Sequence, residues 1–130
     1  LEAGGSADIL MGRAGADLIM AGAGDDKVWA GSGADEVWGE GGDDRLFGQN
    51  GLDMLDGGDG DDFIDGGQAK GDVLKGKAGD DVLVTRDGQI DYMYGGAGFD
   101  KCYEDSKMYR NDRVSDVGES IEKVLWRKPR

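Results

Sequence analysis

The stretch AGAGDDKVWAGSGADEVWGEGGDDRLF, residues 21–47, consists of three consecutive nine-residue units. Each unit begins mostly with Gly and Ala and carries an Asp at its sixth position. A large apolar residue follows two positions after each Asp, so the acid and the apolar side chain keep one spacing throughout. A fixed period of this kind indicates a repeat architecture, in which one local structure recurs along the chain.

The repeat continues in both directions from this stretch. The Asp recurs in steps of nine residues, except for two steps of ten that end at Asp72 and Asp91. Every residue two positions after an Asp is apolar or a thiol, as expected of one buried position that is repeated in each unit. The acids are Asp8, Asp17, Asp26, Asp35, Asp44, Asp53, Asp62, Asp72, Asp81, Asp91 and Asp100, and the residues that follow them are Leu10, Ile19, Val28, Val37, Leu46, Leu55, Ile64, Leu74, Leu83, Met93 and Cys102.

The last three residues of each unit alternate between outward and inward positions, which is the period of a β-strand. The Gly-rich front of each unit permits tight turns with positive φ. Two units therefore form one coil of about 18 residues with two short strands and two turns, and stacked coils place their strands about 4.8 Å apart. This predicts an all-β solenoid in which the apolar positions of two sheets meet in a thin core.

Consecutive units lie on opposite sides of such a solenoid, so each unit stacks on the second one along the chain. The Asp residues are therefore predicted to form two columns, one along each edge. The best-matched neighbours are Asp26 with Asp44, Asp44 with Asp62, and Asp35 with Asp53. The first column is Asp8, Asp26, Asp44, Asp62, Asp81 and Asp100, and the second column is Asp17, Asp35, Asp53, Asp72 and Asp91.

The unit has the pattern G-G-x-G-x-D-x-U-x, where U is a large apolar residue, and GGDGDDFID (57–65) and GGAGFDKCY (95–103) are its clearest copies. This pattern resembles the calcium-binding nonapeptide of the RTX family over residues 3–103. The resemblance implies a parallel β-roll, a right-handed solenoid of 18-residue coils, which binds several calcium ions. It also implies a secreted or cell-surface bacterial protein that is exported by a type I system.

The resemblance also implies which residues hold the ions. In each column, ions lie between stacked turns, bound by the motif Asp carboxylates of that column and by turn carbonyls. The candidate carbonyl donors are those of Gly22, Gly24, Asp25, Gly31, Gly33, Gly42, Asp43, Gly51, Gly58, Gly60 and Asp61.

The composition agrees with a cation ligand. The chain of 130 residues has a net charge of −13, with 26 Gly, one Cys and no His. This charge disfavours nucleic acid and anionic membranes as partners. The donors that remain are carboxylate and carbonyl oxygens, which suit Ca²⁺ or Mg²⁺, and a flexible ring of carbonyls favours the larger ion. Because the core is thin and the Asp columns repel, we expect the chain to fold only when it is loaded with the cation.

Three units lack the third Gly of the pattern. Ser6, Lys70 and Gln89 replace the third Gly, and Lys70 and Lys77 place positive charges near predicted cation sites. The two ten-residue units also lengthen the turns before Asp72 and Asp91. We therefore expect weak or absent sites around these two acids.

The chain is predicted to have two parts. Residues 1–103 are predicted to form the roll, and residues 104–130 a non-repeat segment that covers its last coil. The N-terminus lacks the features of a signal peptide and begins inside a repeat, as expected of a piece of a longer protein. No apolar run is long enough to span a membrane.

Outward-facing apolar residues follow the inward positions. Met11, Trp29 and Phe47 are predicted to form one row, and Met20 and Trp38 another. Such surfaces commonly mark interfaces. The rows either contact a neighbouring domain or another copy of the chain, or bind a sugar or protein ligand.

The sequence leaves two functions to compare. The first is a calcium-binding RTX module that folds outside the cell. The alternative is an adhesin or carbohydrate-binding module that uses the exposed Trp/Met face, including Trp29 and Trp38, with calcium purely structural. An enzyme is not predicted, because Cys102 occupies a core position and no His is present to activate it.

Overall fold

The computed structural model describes residues 1–69, 71–85, 91–104, 113–115 and 121–125. All of its regular structure is β, and every strand pair is parallel. The strands are β1 (Ile9–Ala14), β2 (Leu18–Ala23), β3 (Lys27–Ser32), β4 (Glu36–Gly41), β5 (Arg45–Asn50), β6 (Met54–Asp59), β7 (Phe63–Asp65), β8 (Val73–Ala78), β9 (Val82–Val84), β10 (Tyr92–Ala97), β11 (Asp100–Glu104), β12 (Arg113–Ser115) and β13 (Ile121–Leu125).

The strands alternate between two sheets. One sheet has the order β1-β3-β5-β7-β9-β11-β13, and the other has the order β12-β10-β8-β6-β4-β2. Neighbouring strands are therefore one coil apart in the chain, and Val28 pairs with Leu46 at a separation of one 18-residue coil. The predicted all-β roll of stacked coils is confirmed.

Most strands are longer than the three residues that the x-U-x pattern predicts. The strand β3 runs for six residues, because pairing continues into the next unit, where Gly31 pairs with Gln49 and Ser32 with Asn50. When coils stack in register, the backbone at the start of each turn lies as close to the neighbouring coil as the backbone of the strand does, so it can also form strand-like hydrogen bonds. Only β7, β9 and β12 have three residues among the described strands.

The inward positions form one continuous core between the sheets. The side chains from Ile19 to Cys102 at these positions are fully buried, whereas Leu10, in the first coil, is 9% exposed. Ala21 and Ala30 complete the core beside them. One apolar side chain from each unit, stacked in each sheet, therefore holds the two sheets together.

The C-terminal strands extend both sheets. The strand β12 pairs with β10, and β13 pairs with β11. The boundary predicted at residue 104 and the covering role of residues 104–130 stay predictions. No helix long and apolar enough to cross a membrane occurs within the described part of the chain.

Candidate metal centre

The motif aspartates form two columns, in the order that the sequence predicts. At each step the backbone N–H of one Asp donates a hydrogen bond to Oδ1 of the Asp one coil further along, at 2.7–3.0 Å. Asp44 thus accepts from Asp26, and Asp62 accepts from Asp44, both at 2.8 Å. The acids therefore stack with the period of the repeat, and each motif carboxylate reaches back to the coil before it.

The second oxygen of these carboxylates is buried. Asp26 and Asp44 are each 1% exposed, and Asp53 is fully buried. An acceptor removed from water without a donor is costly, and a charged one more so. Within the described residues, Oδ2 is buried and accepts no hydrogen bond in Asp17, Asp26, Asp35, Asp44, Asp53, Asp62 and Asp81.

Main-chain carbonyls lie close to these buried oxygens. A Cβ atom on Gly48 would lie 2.5 Å from the carbonyl oxygen of Gly66 and 2.6 Å from Oδ2 of Asp53. The absence of a side chain at Gly48 therefore lets two acceptor oxygens approach the same backbone atom. The same arrangement joins Gly39 to Asp44 and Gly57, and Gly76 to Asp81 and Gly95.

A further candidate donor lies at the first position of the unit. The predicted carbonyl donors include none of Gly57, Gly66 and Gly95, although each carbonyl lies beside a buried carboxylate oxygen. The signal was available, because the doubled Gly that opens GGDGDDFID marks a place where backbone approaches backbone closely.

The predicted glycine donors occupy the second and fourth positions of their units. All have positive φ, between 96° and 140°, which a residue with a Cβ adopts at a cost. In successive coils they stack, so that the carbonyl of Gly42 lies against Gly60. Asp25, Asp43 and Asp61 follow these glycines as exposed residues. The predicted glycines are Gly22, Gly31 and Gly58 at the second position and Gly24, Gly33, Gly42, Gly51 and Gly60 at the fourth.

Burial makes several motif carboxyls weaker acids. Burial is the main cause that raises the pKa of Asp44 and of Asp53 to about 6, against an ordinary value of 3.8. It also raises the pKa of Asp62 and of Asp81 to about 7. The backbone N–H that each carboxylate accepts lowers the pKa, and the next carboxylate in the column raises it further. The columns are therefore negatively charged stacks that favour any bound cation or proton.

The donor set fits a hard cation that is held partly by the main chain. Among the described residues, no three acidic, His or Cys side chains come together to form a site made of side chains alone. An ion at these edges would therefore need carbonyl oxygens in addition to carboxylates. Carboxylate and carbonyl oxygens in a Gly-rich turn are the donors that Ca²⁺ accepts.

The irregular units keep the column intact. The backbone N–H groups of Gly71 and Asp72 both donate to Oδ1 of Asp91, each at 3.0 Å, so the extra residue is absorbed without breaking the ladder. The ammonium of Lys77 pairs with Asp56 at 3.4 Å. Lys70 and Gln89 lie outside the described residues, and the weak sites expected around Asp72 and Asp91 stay a prediction.

The outward apolar rows lie on different sheets. Met11 pairs with Trp29, and Trp29 with Phe47, in the sheet that contains β1, whereas Met20 pairs with Trp38 in the other sheet. The two predicted rows are confirmed. Since Trp29 and Trp38 belong to different sheets, they cannot form one continuous binding face.

Comparison with known proteins agrees with the geometry of the columns. A family model described as the RTX calcium-binding nonapeptide repeat, in four copies, matches residues 2–37, 38–70 and 67–102. A search of curated proteins gives no match. The matched segments cover most of the chain and coincide with the coils whose aspartates are stacked. The chain belongs to the RTX calcium-binding nonapeptide repeat family, and its repeats form a parallel β-roll.

Proposed function

We propose that this chain is a calcium-dependent folding module of a secreted or cell-surface bacterial protein, unfolded at low calcium and folded when calcium is bound. The observation that carries the proposal is a set of buried Oδ2 atoms on each edge that accept no hydrogen bond within the described residues. They belong to Asp26, Asp44 and Asp62 on one edge and to Asp35 and Asp53 on the other. A row of buried acceptors with negative charge needs a cation to become favourable.

The stacking of like charges opposes folding of the chain without a cation. Each motif carboxylate lies one coil from the next, and the charge of Asp26 raises the pKa of Asp44 after the larger effect of burial. A divalent cation that binds only the folded chain removes this repulsion and shifts the equilibrium towards the roll. Extracellular calcium modules bind with dissociation constants of about 10⁻⁴ to 10⁻³ M, which would leave the chain empty in the cytosol.

The ligands in this proposal are the motif carboxylates together with turn carbonyls. The predicted donors at the second, fourth and fifth positions remain candidates, and the carbonyls of Gly57, Gly66 and Gly95 join them. The last three are supported by their proximity to Asp44, Asp53 and Asp81, in that order, across a glycine of the neighbouring turn.

The experiment is a calcium titration of the full chain, followed by far-UV circular dichroism, with magnesium as the control. We expect a cooperative gain of β signal at about 0.1 to a few mM calcium and none with magnesium. A β spectrum that persists in chelator would contradict the proposal, because the core and the strand ladders would then suffice to fold the roll.

A second candidate function, carbohydrate binding, is favoured by a groove on the sheet that contains β3. The rings of Trp29 and Phe47 stack with centroids 5.6 Å apart, and the short side chain of Asp65 follows Phe47 in the row. Because the side chain of Asp65 is shorter than that of Phe47, a cavity of about 540 Å³ lies beside the Phe47 ring, and aromatic and amide side chains form its walls. Its lining consists of Trp29, Phe47, Gln49, Asn50, Asp65, Gly67 and Gln68.

Aromatic faces next to amide and carboxylate groups suit a sugar, which offers apolar C–H faces and a rim of hydroxyls. We expect Trp29→Ala to abolish binding to a glycan array at saturating calcium, while Trp38→Ala on the other sheet retains it. Equal binding by both variants, or no glycan binding by the parent chain, would contradict this candidate.

Two further expectations belong to the same proposal. The covering segment, residues 104–130, would close the last coil, which is supported by the pairing of β12 and β13 with the two sheets. The rows through Met11 and Met20 would contact a neighbouring domain or another copy. The exposure of Met11, at 56%, supports that expectation.

A further inference from the structure

The two edges of the roll differ at the residue that precedes the motif Asp. We call the edge of Asp26, Asp44, Asp62 and Asp81 the paired-acid edge, because a second Asp precedes each of these acids. The other edge, that of Asp17, Asp35, Asp53 and Asp72, is the single-acid edge. The preceding residues are Asp25, Asp43, Asp61 and Asp80 on the paired-acid edge and Ala16, Ala34, Leu52 and Gly71 on the single-acid edge.

The second acids form a ladder of their own. The backbone N–H of Asp43 donates to Oδ1 of Asp25 at 2.9 Å, and the N–H of Asp61 donates to Oδ1 of Asp43 at 2.8 Å. The ladder continues from Asp80 to Asp61 at 2.8 Å. Its direction is opposite to that of the motif ladder, since each second acid accepts from the coil that follows it. Although these side chains are exposed, the ladder fixes where their carboxylates lie.

The fixed carboxylates lie beside the column of glycine carbonyls. A Cβ on Gly60 would lie 3.0 Å from Oδ1 of Asp43 and against the carbonyl of Gly42. The arrangement repeats one coil further on, where Gly79 lies against Oδ1 of Asp61 and the carbonyl of Gly60. The second acids are therefore positioned at the same turns as the candidate calcium donors.

The charges of the second acids reach the motif carboxylates. Burial is the main cause that raises the pKa of Asp44, and the charges of Asp26, Asp25 and Asp43 add to it. For Asp53 on the single-acid edge, burial is again the main cause, but Asp35 is the sole neighbouring charge that adds to it. The negative field at the motif carboxylates thus has more sources on the paired-acid edge.

Basic residues on the same edge do not cancel this field by pairing. Lys27 and Arg45 directly follow the acid pairs, on the outer face of the sheet. The ion pair found within the described residues joins Lys77 to Asp56 and involves neither of them.

We propose that the paired-acid edge binds calcium more tightly than the single-acid edge, so that the roll loads its two edges in sequence, with Asp43 and Asp61 setting the difference. This inference rests on the proposed calcium function. The affinity of calcium sites rises with the number of negative charges around the ion, and these two acids add charge without entering the buried column.

The test is isothermal titration calorimetry of the full chain with calcium, in parallel with circular dichroism to confirm that each variant folds. We expect two classes of sites in the parent chain, and a loss of roughly tenfold in the affinity of the tight class in the double variant Asp43→Asn/Asp61→Asn. Asn keeps the Oδ1 acceptor of the ladder and removes only the charge. The double variant Glu2→Gln/Glu36→Gln makes the same change of net charge away from the turns, since Glu2 pairs with the outward residue Met20, and should leave both classes unchanged.

The reverse variant tests the same inference by gain of affinity. Ala34 and Leu52 are exposed, so Ala34→Asp/Leu52→Asp places second acids on the single-acid edge without disturbing the core. We expect its weak class of sites to approach the affinity of the tight class. One class of sites that none of the variants changes would overturn the inference while leaving the calcium function intact. No calcium binding by the parent chain would overturn both.

Discussion

Oδ1 of Asp44 accepts a hydrogen bond at 2.8 Å from the backbone N–H of Asp26, one coil earlier, while Oδ2 of the same carboxylate is buried and accepts none from the part of the chain that the structure describes. One carboxylate thus serves two roles at two atoms. The first oxygen fixes the stacking of adjacent coils, and the second supplies a negative donor at the edge. The two roles can be separated by replacing Asp with Asn. The amide oxygen of Asn can accept the backbone hydrogen bond in place of Oδ1, but the amide group does not supply the negative charge of Oδ2.

The substitution Asp44→Asn should raise the calcium concentration at the midpoint of the folding titration by roughly tenfold. Asp44 lies between Asp26 and Asp62 in its column, so the loss of its charge affects the sites on both sides. The measurement is the calcium titration followed by circular dichroism. Glu36→Gln, on the outer face of β4, is the matched control, and equal midpoints for the two variants would contradict the pairing of the column.

Much of this column could be predicted from the sequence, because a strict period decides which residues stack. The period places Asp26 below Asp44 with no knowledge of the backbone. It does not tell which carboxylate oxygen meets the N–H of the earlier coil, since that depends on the local turn conformation. The same limit explains why the strands proved longer than three residues.

Acidification should promote folding in the absence of calcium. The pKa values of Asp44 and Asp53 are raised by burial to about 6, and those of Asp62 and Asp81 to about 7, above the ordinary value of 3.8. The folded chain therefore binds protons more tightly than the unfolded chain. The contribution of these groups to stability is fully present below pH 3.8 and is lost as the pH rises through about 6 to 7.

The check is the β signal in chelator between about pH 8 and pH 4, which should rise as the pH falls. Since protons and calcium compete for the same oxygens, the calcium midpoint should also move to higher concentration at acidic pH. The variant Asp62→Asn/Asp81→Asn should show a smaller response to pH in chelator. A β signal that falls on acidification would show that these acids are not protonated in the folded state.

The substitution Gly42→Ala should destabilise the roll strongly, whereas Gly41→Ala should be close to neutral. Gly42 has a φ of 128°, and a Cβ there would collide with the carbonyl of Gly24 in the coil before. Gly41 has no atom within 4 Å of the place that a Cβ would take. The left-handed conformation alone costs an L-residue about 1–2 kcal/mol. Thermal unfolding at saturating calcium measures the difference, and equal melting temperatures would contradict the close stacking of the turns.

The outer surface could be predicted only in part. The row through Met11, Trp29 and Phe47 could be predicted, because side chains alternate regularly between the two faces of a strand. The groove beside Phe47 depends instead on the short side chain of Asp65, which follows Phe47 in the row, and on Gln68 in the lengthened unit, which breaks the period. The sequence therefore predicts the regular surface and misses the feature that arises where the repeat is interrupted.

The thiol of Cys102 should report the folding of the last coil. It is the one cysteine of the chain and is fully buried, in β11 between β9 and β13. With calcium bound, we expect its reaction with a thiol reagent to be slowed by at least about a hundredfold relative to the chain in denaturant, because reaction requires local or global opening. Chelator should restore the fast rate if calcium holds the coils together. Slow reaction in chelator together with a lost β signal would contradict a cooperative switch, since the last coil would then remain closed while the rest of the roll unfolds.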